Sequence, residues 1–122
     1  MTSEDLKKRT KSFAYGCIAI SLKFPDSFLG RHVRGQLIRC STSVAANYRA
    51  ACLAQSKPSF ITKISIAVEE CDESDFWLTL AVDHELGTQD AMSPLIMEAR
   101  ELTAIRNASR KTAAQTLDPG KK

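Results

Sequence analysis

No stretch of this chain approaches the ~20 consecutive apolar residues that a membrane-spanning helix requires. Its first residues, MTSEDLKKRTKSF, lack the apolar core of a secretory signal, so the expected setting is the cytoplasm, with no membrane partner. The five glycines are scattered, which leaves no glycine-rich loop to cradle a phosphate. The two histidines, His32 and His84, stand in separate segments. They form no HExxH pair and no nucleophile–base pair, and neither has a glutamate three residues before it, as a di-metal helical bundle would need. Cys17, Cys40, Cys52 and Cys71 include no CxxC and lie far from the histidines. They are expected to be small buried thiols rather than zinc ligands. Aromatics make up 7%, and Phe13 and Tyr48 fall on apolar stripes, so base stacking is not expected. These absences argue against an enzyme and against any cofactor, metal or small-molecule substrate. Glu70 and Glu73 are a carboxylate pair of the kind used for acid–base work, but that spacing is common on helices.

What is present is 122 residues of globular composition, 43% hydrophobic and 25% charged, enough for one domain with its own core. The apolar periodicity predicts four helices and no strands. Helix one covers about 4–24, with Leu6, Phe13, Cys17, Ile20 and Phe24 on one stripe. Pro25-Asp26-Ser27 breaks it, and Asp26 or Ser27 can cap the next helix. Helix two covers about 28–54, with a stripe from Leu29 through Val33, Leu37, Cys40, Val44 and Tyr48. Ser56 and Pro58 mark the start of helix three, about 57–86, whose C′ residue is expected to be Gly87. Ser93-Pro94 reads as the N-cap and first residue of helix four, about 93–111. Short connections favour an all-α, antiparallel up-down-up-down four-helix bundle over residues 1–112, followed by a flexible polar tail over 113–122.

Helices two and three carry more apolar surface than a lone bundle hides. From Cys40 to Ser56 the only charge is Arg49. Besides its main stripe, helix two has a face of small residues, Gly35, Thr42, Ala46 and Ala50, while helix three has a second face with Ile66, Trp77 and Leu80. A helix that is weakly polar all round is usually buried on more than one side. Gly35, Ala46, Ala50, Ile66 and Trp77 are therefore candidate contacts with other copies of the chain. Glu70 and Glu73 share the face of Trp77, and Arg39 is the obvious cation to meet them through paired hydrogen bonds. The expectation is a polar network of Arg39, Glu70 and Glu73, with Ser43 and Asn47 filling its remaining hydrogen bonds.

The net charge of +3 hides a polarity. Residues 1–60 sum to +7 and residues 61–122 to −4, with eight acids and no Lys or Arg between Glu69 and Asp90. Such a distribution suits head-to-tail self-association or an anionic partner. Candidate nucleic-acid contacts are Lys7, Lys8, Arg9 and Lys11 in helix one, Arg31 and Arg34 in helix two, and Arg106, Arg110 and Lys111 in helix four. With few free aromatics, binding should be directed at the backbone and tolerant of sequence.

The run SVAANYRAACLAQSKPSFITKISIAVEECDESDFWLTL, together with Arg39, resembles the signature of small four-helix-bundle proteins encoded in intervening sequences of bacterial 23S ribosomal RNA genes. The same family includes accessory variability determinant proteins of diversity-generating retroelements. The likeness spans about residues 13–86. Its most specific pieces are Arg39, Ser43, Asn47-Tyr48-Arg49, Ser56-Lys57, Phe60-Ile61, Lys63, Ile66-Ala67, Glu70, Glu73 and Trp77-Leu78. Ala50 and Gln55 depart from it, standing where relatives often carry Glu and Arg. The resemblance implies a homopentameric ring for several members and an anion-binding or RNA-associated role for some, while most have no assigned activity; RNA or a reverse transcriptase is the expected partner here. The expected function is a non-catalytic homo-oligomeric accessory that binds RNA or a ribonucleoprotein electrostatically. The alternative is a structural or protein-partner scaffold without nucleic-acid binding.

Overall fold

A computed structural model describes residues 1–117 as four helices: α1 Ser3–Ser21, α2 Phe28–Cys52, α3 Lys57–Asp83 and α4 Gln89–Leu117. No strand occurs among the described residues, and the protein is an all-α four-helix bundle. Contacts run in opposite chain directions across two seams. Between α2 and α3 the touching pairs include His32 with Trp77 and Arg39 with Glu73 and Glu70. Between α1 and α4 they are Arg9 with Glu98 and, further along α1, Gly16 beside Leu95.

Each helix starts where a hydroxyl can satisfy a free backbone N–H. Thr2 accepts from Asp5 N, while Asp5 reaches back to Thr2 N, a reciprocal capping box. The backbone and side chain of Thr2 hold the Asp5 carboxyl below its ordinary value. Ser27 caps α2 by accepting from Gly30 N, and Ser56 caps α3 ahead of Pro58, as expected. At α4 the expectation fails. The cap is Thr88, whose Oγ1 accepts from Ala91 N at 3.2 Å, not Ser93. Met92 is fully buried, and its burial draws the chain into helix a turn early. Pro94 lies inside α4, where it forfeits only the bond to the carbonyl of exposed Asp90. At its other end α4 runs on to Leu117, past the expected stop at 111 and into the expected tail; residues 118–122 lie outside the described residues.

The end of α3 also differs. The helix stops at Asp83, and the left-handed residue that closes it is Glu85, φ 55°, not Gly87. Leu86 N bonds Ala81 O at 2.8 Å and Glu85 N bonds Val82 O at 3.1 Å, the paired bonds of a Schellman motif. Leu86 is buried, so the packing of the residue after the turn sets its position. Gly87 serves another purpose: a Cβ there would come within 2.6 Å of Met92 Cε.

One core runs the length of the bundle around Phe13, Val33, Leu37, Val44, Leu78 and Leu102, each worth about 1.5–3 kcal/mol when fully buried. A smaller cluster of Leu6, Tyr48, Ala51 and Ile64 closes one end. Leu29, placed on the α2 stripe from sequence, is 36% exposed instead. Gly30 takes the inner position because the α1–α2 corner presses on it; a Cβ at Gly30 would lie 2.0 Å from the Pro25 carbonyl oxygen. Cys17, Cys40 and Cys71 are buried, and desolvation pushes their thiols up to about 12, about 11 and about 11. Cys52 is half-buried.

Candidate nucleic-acid interface

The basic residues of α1 divide between two faces because successive helical positions turn by 100°. Lys7, Lys8 and Lys11 face α2. There they meet Thr42, Ala45, Ala46 and Arg49 across a groove of about 650 Å³, which Glu4, Ala14 and Tyr15 complete. The small side chains of Ala45 and Ala46 recess the α2 wall, so the cations stand on the rim. Four bases face a single carboxylate, Glu4, which Lys7 holds at 3.0 Å. Lys8, Lys11 and Arg49 are exposed and make no ion pair among the described residues. Tyr15 is 60% exposed, with Lys11 Nζ 5.9 Å from its ring centre.

The other basic candidates are dispersed. Arg9 turns to α4, where its Nε and Nη2 reach Glu98 at 2.7 and 2.8 Å and its Nη2 also reaches Glu101 at 2.7 Å. Donating hydrogen bonds to Glu98 and then Glu101 holds the guanidinium far above its ordinary pKa, so Arg9 is a structural strut between α1 and α4. Arg31 pairs with Asp26 at 3.0 Å near the start of α2, one turn before half-buried Arg34 and away from the groove. Half-buried Arg110 donates to Asn107 Oδ1, and Lys111 is exposed beside it.

Arg106 is a correction. Its side chain is fully buried, with the guanidinium carbon 4.0 Å from the centre of the Tyr48 ring. None of its three side-chain nitrogens has a hydrogen-bond partner among the described residues. Burial lowers its pKa, and the face of Tyr48 offers the compensating attraction. A residue in that position cannot meet a phosphate on the surface. Arg49, conversely, is a groove residue that the sequence reading left out. Its signal was available as the lone charge between Cys40 and Ser56.

The polar network on α2 and α3 forms only in part. Arg39 Nη1 lies 2.9 Å from Glu70, its Nη2 bonds Glu73, and Gln36 accepts from its Nε at 3.2 Å. Trp77 Nε1 donates to Glu73 at 3.0 Å, while the ring of exposed His32 packs edge-on against the indole. Ser43 and Asn47 stay out of it, because Asn47 Nδ2 bonds back to Ser43 O and Oγ at 2.9 Å each. Arg39 keeps 49% of its side chain exposed, so the network lies on the surface of the single chain.

Of the candidate oligomer contacts, Gly35 and Ala46 are exposed, and nothing lies within 4 Å of where a Gly35 Cβ would be. Ala50, Ile66 and Trp77 are half-buried. The opposite side of the bundle holds a shallower groove between α3 and α4, with Asp72, Asp75, Asp83, His84 and Arg100 around Phe76, which is 57% exposed. Among the described residues no cluster of His, Cys, Asp and Glu is placed to hold a metal, and no helix is long and apolar enough to cross a membrane.

Comparison with known proteins agrees with the helical architecture. A crystal structure of a protein of unknown function from the S23 ribosomal protein family of Bacteroides thetaiotaomicron superposes with a TM-score of 0.78 at 27% identity. The alignment covers 91% of this chain and 99% of that one. No curated protein matches the chain. The family model for 23S rRNA-intervening sequence proteins matches residues 4–108, nearly the whole bundle, and the chain belongs to that family.

Proposed function

We propose that this protein is a non-catalytic accessory that binds RNA, alone or within a ribonucleoprotein or reverse-transcriptase complex, through the α1–α2 groove. One observation carries the reading. Lys8, Lys11 and Arg49 converge on a single groove, and none of them forms a salt bridge among the described residues, although Asp5 lies near enough to feel the charge of Lys8. Most arginines elsewhere are committed: Arg9, Arg31, Arg39 and Arg100 to carboxylates, and Arg106 to Tyr48. A cluster of unpaired cations is the electrostatic footprint of a phosphate backbone.

The protein acts as a homo-oligomer in this proposal, with five subunits as the family resemblance implies. The open small-residue face at Gly35 and the exposed side chain of Phe28 support self-association. Repeating the groove around a ring would multiply its local potential and give avidity for one long polyanion. Ala46 lines the groove, so the polyanion takes that end of the α2 face and a second copy takes the end at Gly35.

A scaffold reading is favoured by a different observation, the exposed Phe76 among Asp72, Asp75 and Asp83. Reversing the charge of one groove and neutralising that of the other separates the two. With Lys8, Lys11 and Arg49 all changed to Glu, RNA binding at low salt is expected to fall at least a hundredfold. With Asp72, Asp75 and Asp83 changed to Asn, RNA binding is expected to persist. Retention of RNA binding by the Glu triple variant rejects the groove.

A further inference from the structure

The groove does more than attract phosphates. We infer that it selects single-stranded RNA, with Tyr15 as the platform on which an unpaired base stacks. The inference rests on the RNA-binding reading and deepens it, because it says which form of RNA the site accepts.

The argument begins with where Tyr15 lies. Phe13 and Tyr48 are buried at 2% and 5% exposure, so neither can meet a base. Tyr15 sits two residues from Phe13, about 200° round the helix, which takes it off the buried stripe and onto the groove. It is 60% exposed although it is a large aromatic with no core role. Lys8, Lys11 and Tyr15 follow at i, i+3 and i+7, so two cations and one ring line up along a single face of α1 over about 10 Å. The ammonium of Lys11 lies over the ring, 5.9 Å from its centre, and a phosphate that draws it aside frees that face for a base. A phosphate on Lys11 would therefore place the attached nucleotide next to the aromatic face.

The facing wall makes room for a flat group. Thr42, Ala45 and Ala46 are small, and the groove holds about 650 Å³. Bulky residues at these positions would close the slot between α1 and α2. Cations that track a backbone, combined with an exposed aromatic, are what sequence-tolerant single-strand binders use. A duplex keeps its bases paired and stacked inside, so it can satisfy the cations but offers Tyr15 no free base face. The groove thus distinguishes the two forms by stacking while treating their phosphates alike.

The test uses the full chain, a mixed-sequence 15-nucleotide RNA and the blunt duplex of the same length, compared by fluorescence anisotropy at one salt concentration. The wild type is expected to bind the single strand more tightly than the duplex. Tyr15→Leu should weaken the single strand about five- to a hundredfold. Tyr15→Phe, which keeps a stacking face, should restore it. Duplex affinity and the salt dependence of binding should be the same in all three proteins. The position is exposed, and circular dichroism confirms folding of each variant before binding is compared. If single strand and duplex bind equally and Tyr15→Leu changes neither, stacking is overturned while the electrostatic reading stands. If the wild type binds neither RNA, both readings fall together.

Discussion

At the scale of single residues, charge type says little about role until the partner is known. Arg9, Arg49 and Arg106 are the same side chain put to three uses: a strut to Glu98, an open groove cation and a buried plate on Tyr48. Spacing alone could not separate them, since Arg106 falls at the edge of an apolar stripe and its burial depends on Tyr48, 58 positions earlier in the chain. Arg39 was legible because Glu70, Glu73 and Trp77 share one helical face and demand a cation. Tyr15 was passed over because an exposed aromatic off the stripe carries no periodic signal. Glu85 offers a test of local strain. A side chain held at φ 55° costs about 1 kcal/mol relative to glycine, less what glycine loses in chain entropy. Glu85→Gly is expected to raise Tm by about 2–5 °C in a thermal melt. An unchanged or lower Tm would show that the turn carries no strain.

At the scale of elements, the helices were readable and their ends only partly so. Ser27 and Ser56 stand directly before helical runs and cap them. Thr88 does the same for α4, but Ser93-Pro94 gave the stronger local signal, and the burial of Met92 overrode it. In the proposed oligomer, the outward face of α2 serves another copy of the chain. Gly35 is destabilising in a helix interior by roughly 0.5–1 kcal/mol relative to Ala, and within the chain it accommodates nothing. Close approach by another copy would explain a glycine at this position. Light scattering is expected to give the wild type a mass several times that of the 13.4 kDa chain. Gly35→Glu, by placing a charge in that contact, should return it toward a single chain. A wild-type mass of one chain at micromolar concentration would remove the oligomer from the proposal.

At the scale of the whole molecule, the bundle separates its charge by face. The first half of the sequence is basic and the second acidic, and the fold turns that into a cationic groove on α1–α2 and an acidic one on α3–α4. The all-α bundle and this polarity were both visible in the chain. The location of the groove was not, because it depends on which lysines of α1 face Arg49 of α2. In the proposed function, the same separation would orient an incoming polyanion toward one side of the molecule.

The most direct measurement of the central claim, that the α1–α2 groove grips an RNA backbone through its unpaired cations, is the affinity of the full chain for single-stranded RNA across a salt series. Three contacts from Lys8, Lys11 and Arg49 should give a log–log slope of about −2 per groove engaged. Changing all three to Glu should abolish that dependence together with the binding. A slope near zero, or an unaltered slope in the triple variant, would contradict it.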